Sequence, residues 1–184
     1  MDPNIGAEMS VPPQPAPFPR EAFGDVLRAN ATFVTGFEGS GLTGTAARGL
    51  AIVTCMDSRV NPLVVVGMQA GDAKILRNAG ARVTEDVLRT LVLATYLLGV
   101  DRILVMPHTD CRMAQSEEAD IHATIAEQYG VDTRSLEFRT VSDQKKALIT
   151  DVTRIHSYPL LRDGVTVGGA IYNVATGALE PLDC

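Results

Sequence analysis

The sequence predicts an α/β fold: a central, mostly parallel β-sheet flanked by helices, with a C-terminal edge hairpin and an N-terminal helical arm. Three observations predict it. Short apolar runs with branched side chains, Leu50-Ala51-Ile52-Val53-Thr54 and Ile103-Leu104-Val105-Met106-Pro107, read as buried parallel strands. Strand, helix, strand then repeats along the chain, the signature of a parallel sheet with right-handed crossovers. Both runs also stop at residues that carry chemistry, Cys55-Met56-Asp57-Ser58-Arg59 and His108-Thr109-Asp110-Cys111. Ligand sites of open α/β sheets form beyond the carboxyl ends of such strands, so these two groups are expected to meet.

Residues 1–20 contain Val11-Pro12-Pro13-Gln14-Pro15-Ala16-Pro17-Phe18-Pro19, which is neither helix nor central strand, and are expected to be a disordered extension ahead of one domain over 21–184. From Arg20 to about Phe37, Ala22, Val26, Ala29, Phe33 and Phe37 recur at intervals of three and four, giving an amphipathic helix that needs something to pack on. Gly39-Ser40-Gly41-Leu42-Thr43-Gly44 spells a dinucleotide fingerprint, but it follows a helix and precedes a strand, the reverse of what that motif requires, so it reads as a loop.

After Cys55, Pro62 to Met68 reads as a short helix closing at Gly67 or Gly71, and Ala73-Lys74-Ile75-Leu76 as a second strand. Thr84 caps a helix with Glu85 and Asp86 in its first turn, a buried stripe of Val87, Leu88, Leu91, Val92, Thr95 and Leu98, and Gly99 at its end. A strand from Arg102 to Met106 comes next. Asp120 to Tyr129 reads as a helix stopped by Gly130; Ser142 is expected to cap another whose buried face is Leu148, Ile149, Val152 and Ile155. Val165 to Tyr172 is a strand, and Ala175-Thr176-Gly177 turns it back into a short edge strand through Leu179.

A chain of 184 residues is long enough for one domain that buries about 70% of its unfolded surface. A net charge of −6 argues against nucleic acid and against an anionic membrane as partners. The most apolar stretch, Val87 to Val100, includes Arg89 and is shorter than the roughly 20 residues of a bilayer span. Met1-Asp2-Pro3-Asn4 is acidic and leads into no apolar core of the kind a signal peptide carries, and three cysteines is an odd number. A reducing cytoplasm is the expected location, and there cysteines with histidine more often bind metal or catalyse than cross-link.

Two thiols and one imidazole at one point, Cys55, Cys111 and His108, are zinc ligands by type, and three protein ligands leave a fourth position for water, as in catalytic sites. Asp57 and Arg59, two apart on an extended loop, can form a charge-assisted pair that holds the carboxylate off the metal. A closed structural site would need a fourth strong ligand; Cys184 is the last residue, which leaves Asp57 or Asp110. A phosphatase-type loop does not fit, because Arg59 comes only four positions after Cys55.

Cys55-x-Asp57-Ser58-Arg59, then Arg77-Asn78-Ala79-Gly80, then His108-x-x-Cys111 resembles, in this order and separation, the β-class carbonic anhydrases, and most of all their short bacterial members. The resemblance covers about residues 21 to 184. It implies one Zn2+ per subunit on Cys55, His108 and Cys111, with Asp57 and Arg59 catalytic. It also implies a carbon–oxygen lyase that reversibly hydrates carbon dioxide to bicarbonate and a proton by means of a zinc-bound hydroxide. The arm helix would reach a second subunit in a homodimer or larger homo-oligomer, and Asp57 could swing onto zinc at low pH.

Arg77 is as readily a buried ion-pair partner as a direct participant, and Asn78 and Gly80 shape the turn after the second strand. His122 and His156 read as satisfied histidines rather than proton shuttles, and Tyr96 and Phe33 as core or interface before pocket lining. The chain departs from the family pattern at Arg112, where glycine is common, and at Ala46, where plant-type members have glutamine. It has no tryptophan, which removes the inhibitory bicarbonate site of some bacterial members. Two rival functions stand beside carbon dioxide hydration: hydrolysis of carbonyl sulfide or carbon disulfide on the same scaffold, and a non-catalytic zinc-stabilised binding module.

Overall fold

The computed structural model describes residues 16–184; residues 1–15, most of the expected N-terminal extension, lie outside the described residues. The chain divides after Gly41 into two compact units. The first contains helix α1, Gly24–Val34, followed by a 3₁₀ turn at Gly39–Gly41. The helix is shorter than its periodicity suggests. At its end Gly36 and Phe37 donate three residues back, to Phe33 and Val34, which closes the last turn tightly where the expected helix would have continued. No residue of α1 is buried: Val26, Leu27, Phe33 and Val34, and Phe23 just before the helix, expose apolar surface.

The second unit is the α/β body. Its strands are β1 (Leu50–Cys55), β2 (Ala73–Asn78), β3 (Arg102–Met106), β4 (Thr166–Tyr172) and β5 (Leu179–Leu182), in the order β2-β1-β3-β4-β5. The first four run parallel and β5 returns antiparallel to β4, which is the expected edge hairpin. Its helices are α2 (Pro62–Val65), α3 (Glu85–Leu97), α4 (Glu118–Tyr129) and α5 (Gln144–His156).

Every residue of β1 is buried, as a central parallel strand requires. Alternation sorts its side chains: Ala51 and Val53, with Ile103 and Val105 of β3, pack against Leu88 and Leu91 of α3 and Val152 and Ile155 of α5. Leu50, Ile52 and Met106 face the other way, onto Val60 and the segment from Val65 to Met68. That second face is thinly covered, and Ile75, Leu104, Tyr172 and Leu179 on it stay half-buried. No described helix is long and apolar enough to cross a membrane.

Thr84 caps α3 as predicted, its hydroxyl accepting from Val87 N at 3.4 Å, and Gly130 ends α4 in the left-handed conformation at φ +66°. Four local expectations need correction. The helix after Cys55 is one turn, Pro62–Val65, started by the Asn61 side chain. Val92 and Leu98 are only half-buried; the α3 stripe includes Ala94 instead. The cap of α5 is Asp143, which accepts from Lys146 N at 3.1 Å, not the equally suitable neighbour Ser142. The buried face of α5 carries Asp151, whereas Ile149 is exposed.

Candidate metal centre

Strand pairing brings the two chemical motifs together. β1 and β3 pair from Leu50↔Arg102 to Thr54↔Met106, and the Thr54 hydroxyl donates to Met106 O at 2.7 Å, so both strands end at one level. Cys55 is the last residue of β1, opposite Asn78 of β2. Beyond β3, Tyr172 N donates to Pro107 O and Thr109 N donates to Tyr172 O, each at 2.9 Å, which pins His108 to the end of β4.

The donor atoms of Cys55, His108 and Cys111 lie within 4.8 Å of one another, and the two sulfurs are 3.9 Å apart. A tetrahedral metal with bonds to sulfur of about 2.3 Å sets two sulfurs about 3.8 Å apart. His108 supplies the sharper test. It is 1% exposed, yet among the described residues its Nε2 has no hydrogen-bond partner, a costly arrangement for a buried polar atom unless something is meant to bind it. Nδ1 lies 2.7 Å from Thr109 O, a contact that needs the proton on Nδ1 and leaves the Nε2 lone pair free toward the thiols. The donor set therefore fits a soft divalent ion.

Burial, helped by the neighbouring Cys55, pushes the Cys111 thiol up to about 11, so without a metal it holds its proton at neutral pH. Around the thiols, Ala81 and Met113 are buried, and Ala79 and Phe138 pack against them, giving the site an apolar wall.

Asp57 and Arg59 form the expected pair. Arg59 Nε and Nη2 donate to the two Asp57 oxygens at 3.0 and 2.8 Å, and its backbone N–H adds a third bond at 2.9 Å. These bonds hold the Asp57 carboxyl well below the usual carboxylate range. Asp57 Oδ2 is also 3.6 Å from His108 Nε2.

All five residues singled out from the sequence thus stand together. Arg77 makes no ion pair among the described residues: it donates to the backbone carbonyls of Cys55 at 2.9 Å and Asp57 at 2.6 Å, bracing the loop that carries them. Asn78 holds its turn by exchanging bonds with Arg82 N and O at 2.9 and 2.7 Å. Arg112 is exposed and opens a short 3₁₀ turn. His122 bonds Thr133 Oγ1 at 2.9 Å and His156 is exposed at the end of α5, in keeping with structural readings for both.

Three supporting residues escaped sequence reading. Gln144 donates to His108 O at 2.7 Å. Asp151 accepts from Arg82 Nε at 2.7 Å and from Val83 N at 3.3 Å. Asp110, considered only as a substitute ligand, instead accepts from Arg59. Asp151 had a signal: an acid on the apolar stripe of a helix needs a partner.

Comparison with known proteins bears on this site. A model of the carbonic anhydrase family matches residues 50–179, a span that contains all five residues. Beta-carbonic anhydrase 1 of Mycobacterium tuberculosis (strain H37Rv) is 33% identical over 159 residues, covering 86% of this chain and 96% of its own. The crystal structure of carbonic anhydrase from Streptococcus mutans superposes with a TM-score of 0.82 at 34% identity, over 88% of this chain and 97% of that one. Carbon disulfide hydrolase of Acidithiobacillus thiooxidans is 27% identical over 154 residues, 73% of this chain and 77% of its own.

Proposed function

The chain belongs to the β-carbonic anhydrase family, and from that premise we propose that it is a zinc-dependent lyase that interconverts carbon dioxide and water with bicarbonate and a proton. The observation that carries the reading is the buried Cys-His-Cys cluster with an unpartnered His108 Nε2. Cys55, His108 and Cys111 would hold one Zn2+ per subunit. A zinc ion held there would supply hydroxide chemistry near neutral pH, since zinc lowers the pKa of water from about 15.7 toward ~7–9.

The remaining work falls to the chain. Asp57, kept ionised by Arg59, accepts a hydrogen bond from the nucleophile and so points its lone pair at the carbon. Arg59 fixes that carboxylate, and Arg77 fixes the loop beneath it through the Cys55 and Asp57 carbonyls. The apolar wall of Ala79, Ala81, Met113 and Phe138 suits a small linear substrate without hydrogen-bond donors. In the forward direction one carbon–oxygen bond forms, a carbonyl π pair moves onto oxygen, and one proton leaves for solvent.

The half-buried second face of the sheet and the exposed apolar side chains of α1 both favour a homodimer or larger homo-oligomer. Buried free thiols favour the cytoplasm. The similarity to a carbon disulfide hydrolase favours a second reading, in which carbonyl sulfide or carbon disulfide takes the place of carbon dioxide as the substrate. Metal content and stopped-flow carbon dioxide hydration on one sample test the first reading, with hydrogen sulfide release measured alongside. About one zinc per chain with rapid hydration is expected. Zinc with sulfide release and negligible hydration would favour the second, and zinc with neither would leave a binding module.

A further inference from the structure

Beside the proposed zinc site, Asp110 sits between His108 and Cys111 with φ +55°, a left-handed conformation that asparagine, aspartate and glycine adopt more readily than other residues. Its Oδ2 accepts from Arg59 Nη1 at 2.6 Å and its backbone carbonyl accepts from Arg59 Nη2 at 2.9 Å. Gln115 Nε2 donates to the other carboxylate oxygen at 2.5 Å, so the acid is itself oriented. On the opposite side Arg59 engages both oxygens of Asp57. A single guanidinium thus bonds two carboxylates, one from the segment after β1 and one from the segment after β3.

We propose that Asp110 is a positioning residue that, by gripping Arg59, keeps Asp57 off the fourth coordination position of the metal. The proposal deepens the functional reading above and rests on its metal site. Asp57 is the competing donor: it is a carboxylate, a zinc ligand by type, and its Oδ2 already lies 3.6 Å from His108 Nε2. The Arg59 side chain is 46% exposed and that of Asp57 19%, and a half-exposed ion pair between residues two apart adds little by itself against the pull of a cation on the carboxylate. Arg59 gains its hold from the other side. Two bonds to Asp110 remove the rotamer freedom that would let Arg59 and Asp57 swing together, and the left-handed backbone at Asp110 aims both acceptors at the guanidinium.

The test uses the full chain loaded with cobalt(II), whose visible spectrum reports coordination, titrated with thiocyanate as a ligand for an open position. Glycine adopts φ +55° freely, so D110G deletes the carboxylate without straining the backbone; D110N keeps an oxygen acceptor for Arg59. In the wild type thiocyanate shifts the spectrum. In D110G its affinity falls at least tenfold at unchanged cobalt content, because Asp57 occupies the position, and D110N lies between. A purely structural Asp110 would alter stability or metal content and leave the thiocyanate response intact.

A D110G response within twofold of wild type overturns the proposal, as does a wild type whose spectrum ignores thiocyanate. If D110G does not fold, D110N is still expected to weaken thiocyanate binding at least threefold, and a wild-type response there overturns the proposal. The spectrum is read without turnover. A cobalt-binding wild type that hydrates nothing therefore overturns the catalytic reading and not this one.

Discussion

Removing Asp151 should destabilise the protein out of proportion to the size of the change. Its side chain is 5% exposed and that of its partner Arg82 is 18% exposed, so the pair is largely withdrawn from water. Asp151→Ala would leave a mostly buried guanidinium without its carboxylate and Val83 N–H without an acceptor, a loss of about 3–5 kcal/mol. Against a total stability of about 5–15 kcal/mol, the variant should still fold in the absence of denaturant. Asp151→Asn keeps an acceptor but not the charge, and should cost about 1.5–3 kcal/mol, the worth of a hydrogen bond to a charged group. In the double variant R82M/D151L no buried charge remains but Val83 N–H still lacks its acceptor, so the loss relative to wild type should fall to about 1–3 kcal/mol. Urea unfolding followed by circular dichroism, with zinc at the same excess throughout because metal binding adds to apparent stability, measures all four corners of the cycle. The reasoning is refuted if D151A costs under about 1 kcal/mol, or if the double variant loses the sum of its two single changes.

Two further outcomes concern the metal. Because the Cys111 thiol is raised to about 11, zinc uptake by the apoprotein at neutral pH must expel its proton, so affinity should climb with pH, by up to tenfold per unit for each proton released, and level off above that value. Titration calorimetry in buffers of different ionisation enthalpy counts the protons, and a count of zero excludes Cys111 as a ligand. Gln144→Leu removes the donor to His108 O and should weaken zinc binding by about tenfold in chelator competition, with the fold retained; unchanged affinity would show that the loop needs no brace from α5.

The Cys55, His108 and Cys111 cluster was legible because it depends on residue type at strand ends, and strand ends are marked by where apolar runs stop. β3 appeared over the same residues, Arg102–Met106, in the sequence and in the structure. The supporting contacts were less legible because they join residues distant in the chain. Asp151 and Arg82 are 69 positions apart, and nothing local to either names the other. Favouring Ile149 over Asp151 followed hydrophobicity and overlooked position: 148, 151, 152 and 155 share the buried stripe, and Asp151 is admitted there because Arg82 and Val83 N meet it. Choosing Ser142 over Asp143 was an error of one residue between two good caps. Asp110 looked like a spare ligand, since the turn that directs it to Arg59 arises from a backbone angle no composition rule supplies.

The ladder between β1 and β3 also acts as a proofreader. Side chains alternate across a sheet, so sliding β1 by one residue would send the Cys55 sulfur through to the opposite surface, out of reach of His108. The Cys55, His108 and Cys111 cluster therefore forms in only one alignment of these strands, and a misregistered chain would lose it along with its packing. Connections away from the cluster, such as residues 157–165 between α5 and β4, carry no such restriction, whereas a single inserted residue inside Leu50–Cys55 or Arg102–Met106, or between His108 and Cys111, would pull the three donor side chains apart.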